Sequence, residues 1–364
     1  MLLSLQYLRG IASLLVVLYH ARGEMNFVYT QQNLGDLFFG NGYIGVDLFF
    51  MVSGFVIMLS TAKDNSCFSF LTKRLFRIYP VYLACLIFTV YAFNKPYDIN
   101  LLKAIFFINE DITSKAPWFG YTIVFTAWTL MFEIIFYLYF SISMLISWKY
   151  RGLLCSSFLI ATVCLINAFL GNGLTSSGYA AIPITPDSSN LMYLARVLSS
   201  PMFFEFIAGM IIYWVYDKAR ASHFKDLSVL LMPVSIACFA LFYITGYNGG
   251  HGVFACGFYA AFLLLSLVIY EKFHKIKSMK SLDYLGNVSY SLYLVHPIVI
   301  NALGYGVLVT DAYSKTKGFQ NIYLIAFISI LASTLLFYAI EKPFIKIARY
   351  LLTTLKPTNN ALNS

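Results

Sequence analysis

Six ionisable side chains fall inside or at the edges of long apolar runs: Arg9, His20, Asp47, Glu133, Glu205 and His296. A charge placed in hydrocarbon costs at least about 2.5–3.5 kcal/mol on insertion scales, so each needs a partner or a water-filled cavity. Any one of them fits a structural ion pair. Six together point to a polar cavity inside a helical bundle.

Arg9 and His20 are eleven residues apart. On a helix, eleven steps return to within about 20° of one face and rise about 16 Å. The two therefore mark two levels of one polar stripe. An arginine suits a carboxyl, carbonyl or phosphate oxygen. A histidine can take a proton from a hydroxyl near neutral pH; an interfacial histidine held by water fits the same position. Arg74 and Arg77, at i and i+3, share a helix face beside Lys73. Two guanidiniums on one face make a phosphate clamp, and ordinary juxtamembrane basic charge explains the same cluster. Glu133 sits in the near-continuous apolar run Ala127 to Tyr137, where a carboxylate could orient a histidine. Ser289, Tyr293 and His296 lie on one stripe before Pro297, lining a cavity or bonding between helices. Ser53 and Gly54, after Asp47, read as helix packing.

These residues need elements to hold them, and the composition names the kind. Of 364 residues, 60% are hydrophobic and only 11% charged. A soluble domain carries roughly 25% charged residues. That excludes a cytosolic enzyme, a secreted disulfide scaffold and a disordered chain. The expected fold is an all-α integral membrane bundle of about ten transmembrane helices. Spans are expected near 4–21, 43–61, 78–94, 122–147, 152–171, 198–216, 227–246, 252–270, 284–308 and 320–340. The first is expected to be an uncleaved helix. The run 101–108 is too short to cross. With the N-terminus inside, 17 Lys and Arg fall in inner segments and 7 in outer ones, Arg9 counting on neither side. This bias places both termini in the cytoplasm. The net charge of +9 is spread through short gaps, which does not suit nucleic acid. The six cysteines form no CxxC pair and read as buried thiols, not as disulfides or metal ligands. No internal repeat is visible. The gap 171–195 reads as a surface loop or a lid, and 357–364 as a polar, disordered end.

With these residues in view, the chain resembles the acyltransferase family 3 integral-membrane proteins, over about Leu5 to Phe344. The resemblance rests on Arg9 and His20 in LRGIASLLVVLYH, on Phe49 to Phe55, on Arg74, Arg77 and Pro80, on Trp128, Thr129, Leu130 and Glu133, on Ser289 through His296, and on Glu341, Lys342 and Pro343. Each element alone is weak; six in order are specific together. One departure is Gln6, where many members carry an acidic residue. The chain resembles the stand-alone type, with a membrane domain over 1–345 and a cytoplasmic tail over 346–364.

The resemblance implies an O-acyltransferase of the bacterial inner membrane, most simply an O-acetyltransferase. Acetyl-CoA, or another acyl-CoA, would be the cytoplasmic donor, and a hydroxyl of a surface or lipid-linked polysaccharide the acceptor. Candidate catalytic residues are His20, Arg9 and Glu133. Arg74, Arg77 and Lys73 are candidates for donor binding, and His296, Tyr293 and Trp128 for the acceptor. No metal is expected. His20 would be the general base, and an acetyl-histidine relay is also open. The alternative from another class is a secondary transporter or glycan flippase, which usually shows an internal repeat. An unrelated membrane-bound transferase family with a histidine deep in a late span would use His296, but does not explain the early Arg/His pair.

Overall fold

The computed structural model describes residues 2–110, 113–170, 173–185, 188–220, 222–308 and 311–354. Every regular element among them is helical. In chain order the α-helices are α1 (Leu3–Ala21), α2 (Leu34–Phe39), α3 (Ile44–Ser60), α4 (Cys67–Ala92), α5 (Ile99–Ile105), α6 (Trp128–Ile146), α7 (Arg151–Phe169), α8 (Asn190–Leu198), α9 (Phe203–Lys218), α10 (Ser222–Thr245), α11 (Cys256–Phe273), α12 (Lys280–Gly304), α13 (Asp311–Lys315), α14 (Phe319–Leu336) and α15 (Lys342–Thr354). A π-turn over Phe337–Glu341 joins the last two into one rod.

Among the described residues, nine helical segments are long and apolar enough to cross a bilayer. The protein is therefore a multi-pass membrane bundle. The expected span at 284–308 falls on α12, which at 25 residues is also long enough. Its serines, tyrosines and His296 make it less apolar than the nine, and Ser289, Ser291, Tyr293 and His296 are all buried inside the protein. Two expected boundaries are corrected. α4 begins at Cys67, not near 78, so Arg74 lies within a helix and is buried. The last rod runs on to Thr354 instead of ending near 340, which brings Glu341 inside it. The expected boundary at 345/346 thus falls within α15, and 357–364 lies outside the described residues. The short run near 101–108 is α5, only seven residues long. Part of the 171–195 gap also lies outside the described residues; its end is α8.

α1 and α12 form the centre. Near Gly10 and Gly286 they touch backbone to backbone: a Cβ on Gly10 would come within 2.8 Å of the Gly286 nitrogen. Gln6, at the position of the departure noted above, donates to Asn287 Oδ1 at 2.7 Å and ties the same two helices. The first turn of α1 has no capping side chain of its own. The Glu271 carboxylate at the end of α11 instead accepts from the Leu3 and Ser4 amides at 2.7 and 2.8 Å, satisfying donors that a helix start leaves free. α3 crosses α9 where Gly54 meets the Phe206 carbonyl and Gly209 the Met51 carbonyl, so Gly54 packs as expected. Phe50, Phe136 and Phe206 stack beside this crossing. Large apolar side chains on α7, α10 and α14 remain exposed, as a lipid-facing rim requires. The six cysteines are free thiols, as expected.

Candidate active site

Helices α1, α3, α4, α6 and α12 enclose a cavity of about 90 Å³, or about 760 Å³ with its open mouth included. Arg9, Arg74, Arg77, Glu133 and Tyr293 line it, with Ser53, Tyr137 and Tyr290. Five of the sequence-derived candidates, from four helices, thus share one space. Arg74 donates to Ser60 Oγ at 2.8 Å and lies against the Phe70 and Tyr137 rings. Its Nε is buried without a partner. Neither Arg9 nor Arg77 has a direct hydrogen bond within the structure described. Glu133 accepts from Ser53 Oγ at 3.1 Å and from the Tyr137 hydroxyl. The cavity therefore holds guanidinium donors in excess of their local acceptors, which is the condition for binding an anion.

Lys73 is not brought to this cavity. It is exposed and ion-paired with Asp64 at 2.7 Å. Hydrogen bonds from Lys73, Ser69 and the Ser66 amide hold the Asp64 carboxyl below its usual range, against the opposing effect of partial burial. Glu341 was missed as a site residue. It faces Arg77 and Arg9 from the π-turn and accepts from Ser291 Oγ at 2.7 Å. In the sequence it marks the closing Glu341–Lys342–Pro343 element of the resemblance without a role assigned, and the extra residue of the π-turn rotates it inward.

His20 lies outside the cavity lining, at the far end of α1, and meets His296: Nδ1 of His20 and Nε2 of His296 are 3.1 Å apart. The surrounding acceptors decide the protons. His20 Nδ1 lies 3.0 Å from the Val16 carbonyl, and His296 Nδ1 lies 3.1 Å from the Leu292 carbonyl. A carbonyl only accepts, so each Nδ1 carries the hydrogen. His20 N–H is then shared between Val16 O and the His296 Nε2 lone pair. This tautomer assignment leaves the Nε2 lone pair of His20 unengaged by protein. Tyr293 stands between the two regions, hydrogen-bonded to Thr129 at 2.9 Å and 6.0 Å from the His296 ring.

Beyond the histidine pair the walls are aromatic. From His20 the rings run to Phe125, Tyr121 and Trp118. A second row runs from Tyr19 to Tyr43, His251 and Tyr179. The rows meet at Trp118 and Tyr179, 6.4 Å apart. Most of these rings are only half-buried. Trp128 is buried and packs on Phe132 and His251, away from the arginine cavity.

Residues 2–340 match the family model described as an acyltransferase domain. The chain belongs to this family. The acyltransferase is 26% identical over 272 residues to the exopolysaccharide production protein ExoZ of Rhizobium meliloti, covering 72% of this chain and 78% of ExoZ. It is 26% identical over 338 residues to the O-acetyltransferase OatA of Staphylococcus aureus, covering 84% of this chain and 51% of OatA. The match therefore spans about half of OatA's length. A putative acetyltransferase, ORF330, of Acidianus two-tailed virus is 30% identical over 164 residues, covering 43% of this chain and 46% of ORF330. No solved structure matches the acyltransferase. The family places it among acyl-transferring enzymes of the membrane, as its residues implied.

Proposed function

We propose that this acyltransferase moves an acetyl group from cytoplasmic acetyl-CoA to a hydroxyl of a surface or lipid-linked polysaccharide in the bacterial inner membrane. One observation carries the reading: an arginine-lined cavity and a histidine with an unengaged lone pair lie along the same helix, about 16 Å apart by helical rise. The likeness to OatA and ExoZ supports the acetyl group and the glycan acceptor. Arg74 and Arg77 hold phosphate oxygens of the donor. The same spacing argues that Arg9 binds the donor rather than the oxyanion at His20. Glu133 and Glu341 orient the guanidiniums.

His20 Nε2 takes the proton of the acceptor hydroxyl while that oxygen attacks the thioester carbonyl carbon. The carbonyl electron pair moves to oxygen and returns as the C–S bond breaks. The departing thiolate receives the proton from His20. His296 Nε2, accepting from His20 Nδ1–H, steadies the imidazolium that forms between these events. The half-buried aromatic rings beyond the pair supply flat apolar faces against which a sugar ring can lie.

The rise of about 16 Å between Arg9 and His20 favours a second route, in which the acetyl group rests on His20 Nε2 before transfer. Incubating the protein with labelled acetyl-CoA and no acceptor separates the two. The relay leaves an acetylated His20 peptide in mass spectrometry; direct transfer leaves none. The test of the whole reading compares surface glycans from wild type, gene deletion and His20→Ala strains. An acyl mass confined to wild type is expected. Unchanged glycans, with an intracellular intermediate accumulating in the deletion strain, would favour the transporter reading.

A further inference from the structure

A second polar cluster lies apart from the arginine cavity, between α3, α9 and the loop before α11. Asp47, His251 and Cys256 each place one donor atom within 4.8 Å of the others, and all three are buried. Glu205 faces Asp47 and Cys256 from α9. It is fully buried, with no hydrogen bond of good geometry to either carboxyl oxygen, and its polar neighbours are the Asp47 carboxyl and the Gly252 amide. A buried carboxyl left without a donor is costly. The cluster thus holds more acceptor capacity than its protein donors fill.

The scaffold is well defined. His251 lies in the loop before α11, and Cys256, five residues on, is the first residue of α11. The Gly250 amide donates to the Tyr43 hydroxyl at 2.8 Å, and the Gly178 amide donates to the His251 carbonyl at 2.9 Å. The Gly252 amide donates to Asp47 Oδ1 at 3.1 Å, fixing that carboxylate with Oδ2 toward His251 Nδ1 at 2.7 Å. Cys256 had read as a plain buried thiol in the sequence; no local spacing joins it to Asp47 or Glu205.

We infer that Asp47, His251 and Cys256, with the Glu205 carboxyl beside them, form a binding site for a zinc ion. A thiolate, an imidazole and carboxylates are the donor set zinc accepts, whereas magnesium and calcium prefer oxygen alone. Tetrahedral zinc, with bonds of about 2.0–2.3 Å, needs donor atoms about 3.3–3.8 Å apart. Asp47 and His251 must separate slightly, and the Cys256 thiol loses its proton on binding. Glu205 then gains the cationic partner it lacks. The ion would lock the His251 loop onto α3 and α9, beside the aromatic wall that begins at His20. The site is independent of the acyl-transfer reading.

The test measures zinc in the full-length, tag-free protein, purified in detergent from zinc-supplemented cells. About one zinc per chain is expected for wild type, with at least a fivefold loss in Cys256→Ser and in Glu205→Gln. Cobalt exchanged into the wild-type protein should show thiolate-to-cobalt charge transfer, which reports Cys256 without any variant having to fold. Wild type without zinc, zinc content unchanged by both substitutions, or cobalt lacking the thiolate band would each overturn the site.

Discussion

At the scale of single residues, the histidine pair makes the sharpest prediction. If His20 Nε2 is the base, His20→Ala loses about 10²–10⁴-fold in kcat, the range for a lost general base. Donor binding should survive, because His20 lies outside the arginine cavity. His296→Ala should cost less, about 10–100-fold in kcat, the value of one hydrogen bond to a charged group. Steady-state kinetics with acetyl-CoA varied reads both; equal losses in KM and kcat would contradict the separation. Arg77→Ala should act the other way, raising the acetyl-CoA KM about 10–100-fold. Lys73→Ala should change it less than about twofold, since Lys73 pairs with Asp64 at the surface. The residues that stand out in the sequence are those whose charge is anomalous in an apolar run, and of these Arg9 and Glu133 line the arginine cavity while His20 and His296 meet each other. Lys73 misled because adjacency to Arg74 says nothing of direction on a helix. The inward turn of Glu341 is hidden because it depends on a π-turn; Asp47 and Glu205 stand out as charges in apolar runs, but their meeting with His251 and Cys256 arises only through tertiary packing.

At the scale of elements, the site depends on two close helix crossings. The α3–α9 crossing leaves no room for a side chain: a Cβ on Gly209 would lie 2.0 Å from the Met51 carbonyl oxygen. Gly209→Leu should therefore force the helices apart and destabilise the protein by about 1–3 kcal/mol or more. A lower melting temperature in detergent, together with lower yield, checks this; an unchanged melting temperature would show that the crossing tolerates expansion. The α1–α12 crossing at Gly10 and Gly286 holds the two helices close enough for His20 and His296 to meet, each ring anchored by the carbonyl one turn earlier in its own helix. Helix existence followed from length and apolarity, so nearly all the long elements were legible. Two ends were not. Hydropathy stops at Arg74 and Glu341, whereas both helices continue through them, because each charge points into the protein and not into lipid. α12, expected as a span at 284–308, carries its polar side chains inside the protein for the same reason: a buried helix answers to its neighbours.

At the scale of the whole molecule, the connecting segments sort into two ends. The start of α1 meets Glu271 and Lys277, and Thr61 meets Trp148 and Arg151. At the other end, Glu24 meets Gly318, Asn41 meets Tyr243, and Gly178 meets His251. These pairings put the segments richer in Lys and Arg together, at the end where α1 begins. On the orientation expected from the positive-inside rule, that end would face the cytoplasm. The arginines of the cavity lie in the same half of the bundle, and the histidine pair lies in the other. A donor made in the cytoplasm would thus enter at the arginines, and its acyl group would be used toward the opposite leaflet. Single cysteines at Asn33 and Ser278, in a background whose native thiols remain, test the assignment. An impermeant maleimide applied to intact cells should label Asn33→Cys above background, and Ser278→Cys only after permeabilisation. The reverse pattern would place the arginines on the outer side, where no CoA thioester is supplied, and would overturn the donor assignment while leaving the fold intact.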